Sequence, residues 1–339
     1  MKRIQLSALL LVVALPLLAA GCGGSSGSGD GTGGGGKAKL DLVAYSTPAE
    51  AYAQLFSAFQ ATDAGTNVDF SESYGASGDQ SRAVEAGQSA DFVHFALETD
   101  MKRVVDAGMV DAGWNTGQYK GKLVNSVTSF IVREGNPKNI TTWDDLLKSD
   151  VEVVIANPFT SGGARWNVMA AYGAQLEQGK TEEQAVQYLY ELYKHVKVQD
   201  SSARDALATF TGGRGDVLLS YENEAILAEA KGEPVEHRVP DQTILIETVA
   251  AIGSKTKNPA QAQAWLDFLY TPEAQKVFAD DGYRPVVEGV TGKYDFPQPA
   301  SLFTIDDLGG WSDVKDKFFD DTTGIMALVE KSIGVSTSG

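Results

Sequence analysis

From Lys39 onward, apolar and polar positions follow a recurring pattern. "KLDLVAY" places Leu40, Leu42 and Ala44 on one face with a period of two, which predicts a strand. Tyr52, Leu55, Phe56 and Phe59 follow at helical spacing. Thr47 is the predicted N-cap of that helix, with Pro48 at its first position and Glu50 completing a capping box. "NVDFSESY" predicts a second strand. "SGDQSRAVEAG" predicts a second helix, with Ser77 as N-cap, Gln80 at the box position and Gly87 at its end. "DFVHFAL" predicts a third strand. Further on, "VEVVIANP" leads into a helix through "TSGGARWN", and Ser202 caps a helix with Asp205 three places on. "DVLLSYENEA" turns from strand to helix at Tyr221–Glu222, and Asn258–Pro259 and Thr271–Pro272 each open a helix. Alternation of this kind predicts an α/β protein with parallel or mixed sheets.

Two longer apolar runs, residues 124–137 and 243–253, interrupt the rhythm. Each predicts a long strand passing between two lobes, one built from 39–127 plus 250–339 and the other from 128–249. A single large sheet with two long central strands is the alternative. No internal repeat is visible.

The N-terminus has a different character. Lys2 and Arg3 precede the apolar run Ile4 to Ala20, and Ala19, Ala20 and Gly21 are small. This is the pattern of a secretory signal over 1–21, too short for a comfortable membrane span. Cys22, the sole cysteine, follows at once and cannot form an internal disulfide. "LLAAGC" resembles the lipobox of bacterial lipoproteins, in which the cysteine is lipidated and begins the mature chain; Ala19 stands where leucine is usual. Residues 22–38, rich in Gly and Ser, then read as a flexible tether of roughly 20 Å average span.

Charge narrows the partners. The formal net charge is −17, or −19 once Lys2 and Arg3 are removed. Nucleic acid and an anionic membrane surface would repel such a chain, leaving the membrane reachable only through the lipid at Cys22. With 22% charged and 43% hydrophobic residues, the composition is that of a soluble globular protein, expected to be a monomer.

Catalytic and cofactor motifs are missing from the sequence: there is no HExxH, no P-loop GK[ST] and no GxGxxG, and no cofactor or metal is expected. Of the three histidines, His94 lies in a predicted strand and His195 near a helix end, where histidines are more often structural; His237 is the third. "GASGD" around Ser77 nearly matches a nucleophile elbow, but its second glycine is one place early and no motif histidine accompanies it. A lipoprotein ester hydrolase using Ser77 is therefore a remote alternative, and an extracellular interaction module or sensor another. What remains is a series of neutral donors at predicted helix starts: Ser46 and Thr47, Ser77, Ser161 with Gly162 and Gly163, Ser202 with Ala203, and Tyr221. Each alone reads as a cap or turn residue. Together they predict a neutral, donor-rich pocket beyond the carboxyl ends of the strands.

The segments "AYSTPAEAY", "SYGASGDQSRAV", "REGNPKNITTWDDL", "NPFTSGGARWN", "DSSARDALATF", "YENEA", "YTPEAQKVFADDGYRPV" and "FTIDDLGGW" occur in that order. They resemble the sulfate-binding proteins, thiosulfate-binding relatives included, that feed bacterial ABC importers. The resemblance runs from about Lys39 to Trp311. It implies a two-lobed type II periplasmic-binding-protein fold with two crossover strands as hinge, a sulfate or thiosulfate held in the cleft, no enzymatic activity, and delivery to a permease and its ATPase. Position by position it implies hydroxyl donation from Ser77, hydroxyl or N–H donation from Ser161, and N–H donation from Gly162, Gly163 and Ala203. Ser46 falls where the family often has an aspartate whose backbone N–H meets the anion, and Tyr221 where it often has a tryptophan. Asp205 replaces a usual glycine and reads as the acidic member of a capping box; turned inward, it would favour a protonated oxyanion. Sulfate is fully ionised and only accepts hydrogen bonds, so donors suit it, whereas phosphate keeps a proton and another tetrahedral oxyanion such as phosphate or molybdate is the alternative ligand.

Overall fold

The computed structural model describes residues 37–290, 292 and 294–335. The predicted signal sequence, Cys22 and all of the tether but Lys37 and Ala38 lie outside them.

The first elements are β1 (Ala38–Tyr45), α1 (Ala49–Gln60), β2 (Val68–Gly75), α2 (Ser77–Glu85), β3 (Phe92–Phe95) and α3 (Glu98–Asp106). β4 (Lys122–Arg133) leads to β5 (Val153–Ala156), α4 (Gly162–Glu177), α5 (Glu182–His195), β6 (Val196–Asp200), α6 (Ala203–Thr211), β7 (Val217–Tyr221), α7 (Glu222–Ala230) and β8 (Val235–Arg238). After β9 (Gln242–Ile252) come α8 (Pro259–Leu269), α9 (Pro272–Asp280), β10 (Arg284–Pro285), β11 (Ser301–Phe303), α10 (Gly310–Phe319) and α11 (Ile325–Ser332).

The strands connect in the order β2-β1-β3-β9-β4-β7-β5-β6. β1 is parallel to β2 and β3, and β5 is parallel to β6 and β7, as strand–helix–strand units require. The two long strands tie these sets together. Residues 122–127 of β4 pair antiparallel with β9, whereas residues 128–132 pair with β7. β9 meets β11 at residues 242–244 and β3 at residues 249–252. Both long apolar runs are thus shared between two neighbourhoods at opposite ends. Residues 126–132 of β4 are all buried, polar Ser126, Thr128 and Ser129 among them, which is why this stretch lacks the alternation of a half-exposed strand.

One core packs Tyr52, Phe56, Phe59 and Trp265 between β1, α1 and α8. A second gathers around Trp143 and Trp166. The C-terminal segment packs into this second core, which also takes in Tyr45, Ala96 and Leu97. Trp311 lies edge-on to Trp166 with ring centroids 4.7 Å apart, and Phe318 lies against Tyr172 at 4.8 Å. Phe303 fits only because residue 173 is glycine, whose Cβ would come within 2.3 Å of its ring.

Two predicted caps are replaced by tertiary contacts. Pro48, not Thr47, is the N-cap of α1. The Thr47 hydroxyl bonds that of Tyr283 at 2.8 Å, and Glu50 reaches Arg204 and Lys231. Ala76, not Ser77, precedes α2, and Gln80 accepts from Ser73. The caps at Ser161, Ser202 and Thr271 form as the sequence predicts.

His94 is fully buried between the Tyr52 hydroxyl at 2.8 Å and the Thr248 hydroxyl at 2.9 Å. Burial pushes its pKa down from 6.5 to about 3, so the ring is neutral in the fold. The unfolded chain takes up a proton below its own pKa while the folded chain resists it. This stability is therefore fully present above pH 6.5 and is lost as pH falls toward 3. Between pH 6.5 and 4 the loss amounts to roughly 3 kcal/mol. In urea titrations across this range, His94→Gln is expected to show a shallower fall of unfolding free energy with acidification than the parent; equal slopes would remove His94 from the account.

Candidate functional site

The carboxyl ends of several strands and the starts of the helices that follow surround a small cleft. Ser46, Ser77, Ser161, Gly162, Gly163, Ala203 and Tyr221 all line it.

Three helices point their N-termini at this space. At the first positions of α2, α4 and α6, the N–H groups of Ser77, Gly162, Gly163 and Ala203 have no acceptor among the described residues. Each helix adds the positive end of its dipole. Ser161 is the N-cap of α4: its oxygen accepts from the Ala164 N–H at 3.3 Å, which leaves its own proton uncommitted. The glycines are set by close packing. A Cβ on Gly162 would lie 2.8 Å from that of Ala96, and one on Gly163 would lie 2.6 Å from the Tyr221 ring. Ser46 follows β1 and is half-buried.

Tyr221 ends β7 with 2% of its surface exposed. Its hydroxyl has no hydrogen-bond partner among the described residues and lies 2.9 Å from where a Gly163 Cβ would stand. Burial raises its pKa well above the usual tyrosine value, so it is a neutral donor. Among the described residues no carboxylate lines the cavity. Asp205 is exposed and accepts from the hydroxyls of Ser201 at 2.9 Å and Ser202 at 2.7 Å, so it faces away as a capping residue should.

For Ser77 the structure changes the expected role. Its hydroxyl donates to Asp100 at 2.7 Å and accepts from the Ala96 N–H at 3.0 Å, so the backbone N–H is what Ser77 has left for a ligand. Arg165 and Trp166 do not line the cavity; their side chains donate to Pro158 O and Ala96 O, each at 2.8 Å.

Sequence reasoning missed Tyr45, which lines the cavity beside Tyr221 with ring centroids 6.0 Å apart. Thr47, Tyr283 and Thr248 lie nearby, but none is in hydrogen-bonding geometry with its hydroxyl, and burial raises its pKa to about 12. Its place as the last residue of β1 was the available signal. Arg204 was missed as well. Directly after Ala203, it donates to Glu224 and to Glu50 at 2.7–2.9 Å and to Thr47 O at 2.8 Å. Burial opposes its charge, but Glu224 and Glu50 hold its pKa above the usual range. Glu224 is fully buried. This cluster ties α6 and α7 to the start of α1. A Gly78 N–H to Thr160 O bond of 3.0 Å likewise ties α2 to the turn before α4.

Residues 40–284 match the family described as bacterial extracellular solute-binding protein. A sulfate-binding protein of Synechococcus elongatus is 42% identical over 331 residues, covering 94% of each chain. The chain belongs to the bacterial extracellular solute-binding proteins. A thiosulfate-binding protein of Pseudomonas aeruginosa is 33% identical, covering 82% of this chain and 88% of its own. The solved sulfate-binding protein SubI of Mycobacterium tuberculosis is 43% identical and superposes with a TM-score of 0.81, covering 84% of this chain and all of that one. The two-lobed α/β architecture expected of a type II binding protein is the one this solute-binding protein has.

The buried charge cluster makes a stability prediction. Arg204→Gln leaves Glu224 buried without its cation and is expected to lower the unfolding free energy by about 3–5 kcal/mol. Arg204→Gln with Glu224→Gln should recover a large part of that loss, as read by urea unfolding of the single and double variants.

Proposed function

We propose that this solute-binding protein captures sulfate, or thiosulfate, on the outer side of the cytoplasmic membrane and delivers it to an ABC permease driven by its ATPase. It acts as a monomer, without enzymatic turnover, held to the membrane by a lipid on Cys22 after removal of the signal sequence. The observation that carries this reading is the lining of the cleft: N–H and hydroxyl donors from several strand ends and helix starts, and no carboxylate among the described residues. A fully ionised anion uses donors only, and the outward position of Asp205 removes the acceptor that a protonated oxyanion would want. Donation to an anion is stronger than neutral pairing, and helix N-termini add to it. The ligands named for the similar proteins, sulfate and thiosulfate, agree with this chemistry.

The lobes are 39–127 plus 250–300 on one side and 128–249 with the C-terminal segment on the other. They close about β4 and β9. The C-terminal segment moves with the second lobe because Phe303, Trp311 and Phe318 are packed into its core.

Calorimetry on the chain from Lys37 should show sulfate binding in the micromolar range or tighter, nearly flat between pH 5 and 8. Ser161→Ala should weaken it roughly 10- to 100-fold, and Gly163→Pro, which removes an N–H and drives atoms into Tyr221, should abolish it. Heat with phosphate or molybdate but none with sulfate or thiosulfate would reject the ligand and leave the fold untouched. For the anchor, Cys22→Ser should move the expressed protein from the membrane fraction to the soluble extracytoplasmic one; retention in the membrane would reject lipidation.

A further inference from the structure

We infer that Asp100 is a positioning residue that acts through Ser77 to withhold a hydroxyl proton from the anion cavity. The inference rests on the reading of that cavity as an anion site. Asp100 lies in the first turn of α3 with its side chain 2% exposed. One carboxylate oxygen accepts from Ser77 Oγ at 2.7 Å; the other accepts from Arg103 Nη1 at 3.0 Å. Ser77 Oγ accepts in turn from the Ala96 N–H at 3.0 Å.

A serine hydroxyl has one proton and two lone pairs. With the proton on Asp100 and one lone pair on Ala96, all that Ser77 Oγ can present to the cavity is its second lone pair. A lone pair facing an anion is repulsive. The Ser77 backbone N–H therefore recognises the anion, and the hydroxyl opposes it. Ser161 is the contrast: its oxygen accepts within its own helix, and no group among the described residues takes its proton.

Asp100→Asn reverses the arrangement, because Arg103 can only donate. It fixes the amide oxygen on its own side, so Nδ2 turns toward Ser77. Ser77 then accepts from both Nδ2 and Ala96, and its proton is free to point at the anion. The substitution also removes a negative charge, which helps any anion whether or not Ser77 is present. A double-mutant cycle separates the two effects.

The test is sulfate calorimetry on the parent, Ser77→Ala, Asp100→Asn and the double variant. Ser77→Ala should leave the affinity within about threefold of the parent, in either direction. Asp100→Asn should tighten it about tenfold, and in the Ser77→Ala background this gain should shrink to about threefold or less. A loss for Ser77→Ala as large as that for Ser161→Ala would overturn the inference, because the anion would then hold the Ser77 proton. Equal gains from Asp100→Asn in both backgrounds would overturn it too, leaving charge alone. If Asp100→Asn fails to fold, as judged by thermal unfolding, the Ser77→Ala comparison decides by itself. Absence of sulfate binding by the parent would overturn the functional reading and this inference with it.

Discussion

Everything at this site follows from backbone donors that a helix cannot satisfy for itself. The first N–H groups of α2, α4 and α6 have no intrahelical acceptor, and the fold directs them into one small space instead of into solvent. A buried N–H without a partner costs about 1–3 kcal/mol. Four of them, with the Tyr221 hydroxyl, make a cavity that is expensive to leave without an acceptor. An oxyanion satisfies them together because its oxygens radiate from one centre as the donors converge on one. The glycines at 162 and 163 belong to the same constraint, since any side chain there would separate the helix start from Ala96 and Tyr221.

Formal charge is arranged one layer further out. Asp100 is paired with Arg103, and Arg204 is shared between Glu224 and Glu50. Each of these carboxylates has a cation, as the desolvation penalty demands. A free arginine in the cavity would bind many anions strongly by Coulomb attraction. Oriented dipoles in a space of fixed size select by geometry and by the absence of acceptors. The strongly negative chain as a whole is compatible with this, because salt screens exposed charge beyond about 8–10 Å.

How much could be read beforehand depended on how local the determinant was. The strands and helices follow from period-two and helical spacing, and the caps at Ser161, Ser202 and Thr271 are set by residues three or four apart. The site followed from the same signal, since strand ends with Ser, Gly or Tyr before a helix are local. Thr47 and Ser77 depart because distant residues compete for them: the Tyr283 hydroxyl for one, Asp100 and Ala96 for the other. No spacing along the chain encodes a partner 236 residues away. Arg204 was invisible for the same reason, its partners being Glu50 and Glu224. The packing of the C-terminal segment was not legible either, because Phe303, Trp311 and Phe318 mark a buried face without saying which residues cover it.

Closure and recognition are coupled by the order of these contacts along the chain. Ala203 places its N–H at the cavity, and the next residue, Arg204, grips Glu50 and Thr47 O. Gly78 follows Ser77 and donates to Thr160 O, one residue before Ser161. The bonds that join the two sides are therefore one residue from groups that line the cavity. An opening that separated α1 and α2 from α4 and α6 would break these bonds and disperse the donor set at once. An anion that bridges donors from both sides favours the closed arrangement by its differential affinity for it, which is the only way a ligand can shift such an equilibrium. On the proposed reading, the ion pairs of Arg204 would set how far closure proceeds without ligand, and the donors of α2, α4, α6 and Tyr221 would set how much a ligand adds.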